Sequence, residues 1–279
     1  MRAYLWSKII ELAYSVKTMK KMYIDYMQNL SEERFLNKYI DREYFNIYLK
    51  KNLYKNTHEY NNEYNNEYLN FKRLKEELGF KIITIYDDIY PEKLRNSFNP
   101  PIAFYYIGDI SLLKQYLIAV VGSRNSPDKY LRMANNLGKG LNKLNFSGVS
   151  GLANGIDSSF HIGIDKSIGV IGCGIDQIYP AINRGLYQKV KEKGGLLSEY
   201  PLRTKPLPWH FPRRNRIIAG LGDLLVLVYA NERSGSIITL DYTLDLGRDI
   251  FLTREMYDRL DLTGYRISEL KNYLKSTEY

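Results

Sequence analysis

Short apolar runs alternate with helix-like stretches over most of the chain, and this alternation limits the possible fold more than any other feature. Runs rich in β-branched and other apolar residues lie at 81–86, 117–123, 146–152, 168–174, 195–200, 224–230 and 249–253. Several are apolar throughout, which is typical of strands that helices cover on both faces. The pattern therefore predicts an α/β fold with a doubly wound, mostly parallel sheet.

Helical stretches separate these runs, and their ends carry the expected residues. They are predicted at 127–144, 154–166, 182–193, 212–221 and 235–247. Gly194 and Gly247 fall where helix C-caps belong. Ligands of doubly wound sheets bind at the carboxyl ends of the strands. The residues that directly follow each strand are therefore the candidate binding residues.

The N-terminal part differs in composition, because residues 1–55 contain neither proline nor glycine. Ser31 is a predicted helix N-cap. We predict a helical N-terminal region with an Asn/Glu/Tyr-rich linker (1–75), an α/β domain (76–256) and a helical C-terminal tail (257–279). The repeated Asn-Glu-Tyr motif favours a polar linker or helical extension. A base-stacking surface made of Tyr60, Tyr64 and Tyr68 is the alternative, disfavoured by their acidic neighbours.

Charge and cysteine content indicate the class of partner and the compartment. The formal net charge is +9 and the pI is about 9.2, which favours anionic partners. Cys173 is the one cysteine, so an intramolecular disulfide is impossible, which suits a reducing compartment. The N-terminal segment does not have the pattern of a signal peptide, and no run approaches the length of a membrane span. We therefore expect a cytoplasmic protein without a membrane partner.

The turn after the strand at 117–123 has the composition of a phosphate site. Gly122 permits close approach of a ligand, Ser123 offers a hydroxyl and Arg124 is a fixed cation. The next helix begins near Pro127, so its free N–H groups point to the same place. A tight turn with an exposed arginine is the alternative.

Ser150 and Gly151 form a similar turn after the following strand and are predicted to line a pocket wall. Asp157 and His161 share a helix face in the next segment. An acid–base pair or a fragment of a metal site is possible there, but the sequence favours an internal Asp–His hydrogen bond. Cys173 lies between two glycines and has no histidine partner in the sequence, so a buried, inert thiol is favoured over a nucleophile. No metal site or cofactor is predicted.

A third turn, at Ser234 and Gly235, again precedes a helix. A segment without acidic residues, 202–222, lies between the second and third turns along the chain. Its cations are Arg203, Lys205, Arg213, Arg214 and Arg216. The arginines at its centre are either a solvated helix start or one wall of a phosphate-binding trough. The neighbouring glycine and serine turns favour the trough.

Six motifs in order resemble the DNA-processing protein A family (DprA, also called Smf). They are GSR at 122–124, SGLANGID at 150–157 with His161, YP at 179–180 with Asn183, LSEYP at 197–201, FPRRNRIIAGL at 211–221 and ERSGS at 232–236. The resemblance covers about residues 80–253. It implies an extended Rossmann-like fold, single-stranded DNA binding without catalysis, a homodimer, and loading of the RecA recombinase onto incoming DNA during natural transformation.

The resemblance also implies which residues meet DNA. They are Gly122, Ser123, Arg124, Ser150, Gly151, Lys205, Phe211, Arg213, Arg214, Asn215, Arg216, Ser234 and Gly235. The turn at 122–124 would hold one phosphate, and the arginines after Pro212 would add charge from the first turn of a helix. Asn215 would bond to a base edge or a phosphate. Phe211 would either stack on a base or, as the sequence favours, anchor the loop in the core.

Two other functions compete with DNA binding. The chain is similar to the phosphoribohydrolases of the lonely guy group, which are Rossmann-like enzymes that cleave nucleotides and carry a glutamate shortly after a glycine-rich turn. Here no acidic residue follows Gly235 before Asp241, which disfavours hydrolysis. A scaffold whose N-terminal helices dock a partner is compatible with DNA binding.

Overall fold

One sheet organises the part of the chain that the computed structural model describes, namely residues 2–12, 16–28, 30–40, 62–231, 234–260, 265–266, 270 and 273. Its strands are β1 (Lys81–Thr84), β2 (Ala103–Gly108), β3 (Leu117–Gly122), β4 (Ser147–Ser150), β5 (Ser167–Ile171), β6 (Gly195–Ser198), β7 (Leu224–Tyr229), β8 (Ile250–Leu252) and β9 (Tyr265–Arg266). They lie in the order β1-β2-β6-β5-β4-β3-β7-β8-β9. Neighbours from β6 to β9 along this order are parallel, whereas β2 is antiparallel to β1 and to β6.

Helices connect the strands as the alternation predicts. The described helices are α1 (Arg2–Leu12), α2 (Val16–Met27), α3 (Glu32–Tyr39), α4 (Asn62–Leu78), α5 (Glu92–Arg95), α6 (Asp128–Lys143), α7 (Ile156–Gly163), α8 (Arg184–Lys193), α9 (His210–Leu221), α10 (Gly235–Asp245) and α11 (Arg254–Leu260). Short 3₁₀ turns cover Ile110–Lys114 and Ala181–Asn183. The predicted α/β class and mostly parallel sheet are therefore confirmed.

Side chains of β3 alternate between two apolar cores, one on each face of the sheet. Ile118 and Val120 pack in the core that includes Phe160 of α7. Ala119 belongs to the opposite core, which includes Ile217 of α9. Burial on both faces explains why this strand is a continuous apolar run in the sequence.

Strand β2 was not predicted, and it changes one edge of the sheet. Its residues pair with β1 on one side and with β6 on the other, for example Tyr106 opposite Leu197. Tyr105 packs edge-on against Phe80, with ring centroids 5.3 Å apart. An antiparallel β1–β2 pair therefore extends the parallel sheet beyond β6.

The N-terminal helices pack on this edge, and the predicted helical region is confirmed. Trp6 is fully buried, stacks on Phe35 at 5.6 Å and donates a hydrogen bond of 2.6 Å to Glu32. Ser31 caps α3 by accepting a hydrogen bond from the Arg34 N–H, as predicted. Helix α4 runs through residue 75, so the domain boundary predicted there stays a prediction.

The tyrosine repeat and the C-terminal tail are described in part. Tyr68 packs edge-on against Tyr4 with ring centroids 5.5 Å apart, whereas Tyr60 and the Tyr64 side chain lie outside the described residues. The described part of the tail is helical at 257–260, 270 and 273, as predicted, but it also contributes β9, which pairs in parallel with β8. In the described part of the chain, no helix combines the length and apolar character needed to cross a membrane.

Candidate nucleic-acid interface

A cavity of about 560 Å³ opens at the carboxyl ends of β3 and β7, where the strand order predicts a binding site. The predicted residues that line it are Gly122, Ser123, Arg124, Phe211, Arg214, Asn215, Ser234 and Gly235. The predicted residues outside its described lining are Ser150, Gly151, Lys205, Arg213 and Arg216. The structure therefore brings the first and third turns together with part of α9.

The mouth of the cavity combines a cation with an aromatic surface. Arg124 is exposed, and its guanidinium carbon lies 4.7 Å from the centroid of the Phe211 ring. Phe211 also packs against Tyr179, with ring centroids 5.5 Å apart. A cation is attracted to the face of such a ring. The sequence favours Phe211 as a core anchor, but the structure places it half-buried in the cavity wall.

Residue 122 must be a glycine because neighbouring protein atoms leave no room for a side chain there. A Cβ built on Gly122 would lie 2.5 Å from the Ile156 side chain and 2.8 Å from the carbonyl oxygen of Tyr229. The neighbouring Ser123 N–H donates a 2.8 Å hydrogen bond to the same carbonyl. The turn is therefore held tightly between β7 and α7, and this fixes where Arg124 leaves the backbone.

The second turn, Ser150 and Gly151 at the end of β4, packs against the residues that form the cavity. Ser150 is fully buried, and its hydroxyl donates a 2.5 Å hydrogen bond to the Val120 carbonyl. Gly151 is crowded, because a Cβ there would lie 2.5 Å from Arg214 Nη1 and 2.6 Å from Asp157 Oδ2. Ser150 thus ties two strands together instead of lining the cavity, and Gly151 makes room for Arg214. Gly151 also lines a small pocket of about 40 Å³ next to Arg124.

The arginines of α9 point in different directions, and this corrects the trough predicted from the sequence. Arg216 is buried and forms an ion pair with Glu199 at the end of β6, while Arg213 Nε lies 3.6 Å from the other carboxylate oxygen. Arg214 lines the cavity, and its Nη1 donates a 2.6 Å hydrogen bond to the Gly151 carbonyl and another to Val170. Arg214 is therefore the arginine of this segment that reaches the cavity.

The start of α9 also differs from the prediction. The helix begins at His210 rather than at Pro212, so Arg213 already lies beyond the first three helical residues. Asn215 uses its side chain within the protein: its Nδ2 donates a 2.9 Å hydrogen bond to the Gly235 carbonyl, and its Oδ1 accepts one from Arg214 Nε. Asn215 thus links α9 to α10 and also lines the cavity, and its predicted bond to DNA stays a prediction.

The third turn presents the start of α10 to the cavity. Ser234 caps this helix by accepting a hydrogen bond from the Ser236 N–H. Sequence reasoning missed Thr239, which lies one turn further along and also lines the cavity. Helical spacing from Ser236 was the available signal. Lys205 is exposed in the loop before α9, and residues 232 and 233 of the motif lie outside the described part.

Asp157 and His161 do not form the internal hydrogen bond that the sequence favours. The Asp157 carboxylate accepts a 3.2 Å hydrogen bond from the Gly151 N–H, whereas His161 Nδ1 lies 2.9 Å from the Ser167 hydroxyl. Burial raises the pKa of Asp157 to about 6, although Arg214 and backbone N–H groups favour the charged form. Asp157 therefore joins the turns around the cavity, and His161 contacts the Ser167 hydroxyl at the start of β5.

The thiol of Cys173 is buried, as expected. Burial raises its pKa to about 12, so the thiol stays protonated at neutral pH. A thiolate is the nucleophilic form of cysteine. The inert role favoured by the sequence therefore fits the structure.

Stability should depend on pH through His161, because burial lowers the pKa of this residue to about 3. An unfolded histidine has a pKa near 6.5, so between these values the unfolded chain binds a proton that the folded protein does not. On lowering the pH from about 8 to about 5, we expect the wild type to lose about 2 kcal/mol more unfolding free energy than His161→Gln. Urea denaturation at both pH values measures this, and equal losses in the two proteins would contradict it.

A known protein family matches the part of the chain that contains the sheet. A family model for DNA recombination-mediator protein A matches residues 81–267, which extends past residue 253, where the resemblance was predicted to end. DNA processing protein DprA of Bacillus subtilis is 40% identical over 180 residues, which are 63% of this chain and 61% of that protein. The DprA of Streptococcus pneumoniae is 40% identical over 182 residues, 63% of this chain and 64% of that protein. The matched region thus spans about three-fifths of each relative.

Solved structures agree with this assignment over more of the chain. The X-ray structure of DprA from Streptococcus pneumoniae superimposes with a TM-score of 0.70 at 28% identity, covering 94% of this chain and 93% of that one. DNA processing protein A from Helicobacter pylori, whose single-stranded DNA binding mode has been described structurally, gives a TM-score of 0.63 at 25% identity and covers 72% of this chain and 97% of that one. The chain belongs to the DNA recombination-mediator protein A family.

Proposed function

We propose that this protein binds single-stranded DNA in the cavity at the carboxyl ends of β3 and β7 and acts as a recombination mediator without catalysis. The carrying observation is the Arg124–Phe211 contact at the cavity mouth, 4.7 Å from guanidinium to ring centroid. Phosphate attracts the guanidinium, and bases stack on aromatic rings or on guanidinium planes. One site thus offers partners for both parts of a nucleotide.

The charges inside the cavity support the same proposal. Its charged lining residues, among those described, are Arg124, Arg214 and Asp157. The Asp157 carboxylate already accepts backbone hydrogen bonds and lies in the field of Arg214, so it offers little repulsion to a phosphate. The Helicobacter pylori relative, described as binding single-stranded DNA, adds further support.

The wider role follows from the family. In this proposal the protein works in the cytoplasm as a homodimer, protects incoming single strands and loads the RecA recombinase onto them during natural transformation. The description of the family as recombination mediators supports this role.

The structure gives little support to a nucleotide-cleaving enzyme. Asp241, the first acidic residue after the third turn, is exposed on α10 and is not a described lining residue of the cavity. Asp157, the acidic residue in the cavity lining, is held by backbone N–H groups behind the surface. A general base must reach the reacting group and be free to accept its proton; Asp241 is disfavoured by its position, and Asp157 by the hydrogen bonds that it already accepts.

We expect Arg124→Ala to weaken binding of a fluorescent oligo-dT by about 10- to 100-fold. The substitution removes a charge-assisted contact to phosphate and also the guanidinium that lies over the Phe211 ring. If about four phosphates are neutralised, the logarithm of the binding constant should fall with the logarithm of salt concentration with a slope of about −3, and Arg124→Ala should reduce its size by about 0.7. Fluorescence anisotropy at several salt concentrations measures both.

The matched control is Arg254→Ala on α11, which removes the same charge from an exposed residue outside the cavity. It should bind nearly as well as the wild type. Arg124→Lys keeps the charge but loses the planar group, so intermediate affinity is expected. Unchanged affinity of Arg124→Ala would show that the cavity is not the DNA site.

A further inference from the structure

The loop between β6 and α9 carries a large aromatic side chain that does not line the cavity. Trp209 is 46% exposed, although it lies between Pro208, a cavity-lining residue, and His210, which is fully buried. Tryptophan is highly buried on average in folded proteins. An exposed indole beside a binding cavity is typical of a contact surface.

The structure holds this side chain in a defined position. The His210 ring stacks on Tyr200 with centroids 4.2 Å apart, and its Nδ1 lies 2.9 Å from the Gly172 carbonyl oxygen. The Trp209 indole meets the same His210 ring edge-on, again with centroids 4.2 Å apart. A ligand that stacks on a side chain already held in place costs little additional ordering.

Two exposed cations, Arg203 and Lys205, precede Trp209 in the same loop. Pro206 and Pro208 line the cavity, so this loop forms part of its rim. Proteins that hold single strands combine cations along the backbone with aromatic side chains under the bases. The charge and chemistry of the rim therefore fit a strand that continues outwards from the cavity.

We propose that Trp209 is a second stacking site, on which a base next to the nucleotide in the cavity lies while its phosphates pass Arg203 and Lys205. This inference rests on the proposed function. The Cα atoms of Trp209 and Phe211 are at most about 7.6 Å apart, because they are two residues apart in the chain. The backbone positions of Trp209 and Phe211 are therefore close enough for one strand to pass both residues.

The test uses oligo-dT binding and intrinsic fluorescence. The chain has two tryptophans, and Trp6 is fully buried, so a change in tryptophan emission on DNA binding reports mainly on Trp209. We expect oligo-dT to quench wild-type emission and Trp209→Leu to weaken binding about tenfold. Trp209→Phe should restore much of the affinity, because a smaller ring still stacks.

The salt dependence separates stacking from charge. Trp209→Leu should leave the salt slope unchanged, whereas Lys205→Ala should reduce its size by about 0.7. Phe98→Leu is the matched control, since Phe98 is 60% exposed and is not a described lining residue of the cavity; it should bind like the wild type.

Each outcome bears on one proposal. A wild type that does not bind oligo-dT would overturn the proposed function. A wild type that binds and needs Arg124, but shows neither quenching nor a loss of affinity in Trp209→Leu, would overturn this inference alone. The quenching measurement needs no variant, so it decides the matter even if Trp209→Leu folds poorly.

Discussion

Glu199→Ala is expected to lower the free energy of unfolding by about 3–5 kcal/mol. The carboxylate is buried between Arg216, with which it pairs directly, and Arg213, at 3.6 Å. Removing it takes the carboxylate away from two arginines that are largely shielded from water, which is far more costly than losing an ion pair in water. Urea denaturation followed by circular dichroism measures the change.

Two further variants make this expectation specific. Asp165→Ala removes a half-exposed carboxylate that pairs with Lys189 and Lys193, and it should cost less than about 1 kcal/mol. The double variant Glu199→Leu with Arg216→Leu should recover part of the loss, because no unpaired charge remains at that pair. If Glu199→Ala is as stable as the wild type, the ion pair between Glu199 and Arg216 does not stabilise the fold.

The second large effect concerns Gly155, the residue before α7. It has φ of +86°, and a Cβ there would lie 2.4 Å from the Arg124 carbonyl oxygen and 2.5 Å from that of Ser123. Those atoms are backbone, so the clash is relieved only by moving the turn that carries Arg124. Gly155→Ala should therefore cost more than about 2 kcal/mol of stability and weaken oligo-dT binding at least about tenfold.

Gly140→Ala is the matched control for this substitution. Gly140 lies inside α6 with no atom within 4 Å of the added Cβ. Alanine is the better helix former, so this variant should be unchanged or more stable by up to about 1 kcal/mol, with normal binding. If Gly155→Ala binds oligo-dT like the wild type, then the position of the Arg124 turn does not matter for binding.

The sequence predicted the parallel strands β3 to β8 well because each carries its own local signal, whereas the two-residue β9 was not predicted. Strand β3 is apolar on both faces and ends at Gly122, so both its residue pattern and the glycine at its end indicate a buried strand. Strand β2, with the sequence AFYYIG, is also a short apolar run that ends at a glycine, but its antiparallel partner β6 lies far along the chain. Pairing between distant antiparallel strands is a tertiary property that local patterns do not reveal.

The site was predicted less completely for a related reason. The window around Arg213 and Arg216 contains no acidic residue, but Glu199 reaches both from the end of another strand. Helical spacing was the unused signal, since residues three apart share a face and Arg214 lies on a different one. The motifs in the sequence located the cavity correctly. Which arginine lines it depends on tertiary contacts, and these could not be predicted from the sequence.

The antiparallel strand β2 has a further consequence for how the molecule behaves in solution. Without it, β6 would present a row of unpaired backbone N–H and C=O groups beside the apolar side chains of Leu196 and Leu197. Such an edge recruits other chains and leads to aggregation. Strand β2 pairs with these groups of β6. The edge of the sheet is then the short strand β1, which starts at the exposed Lys81. The segment before the first parallel strand thus protects the α/β core from self-association, and a fragment trimmed to that core would lose this protection.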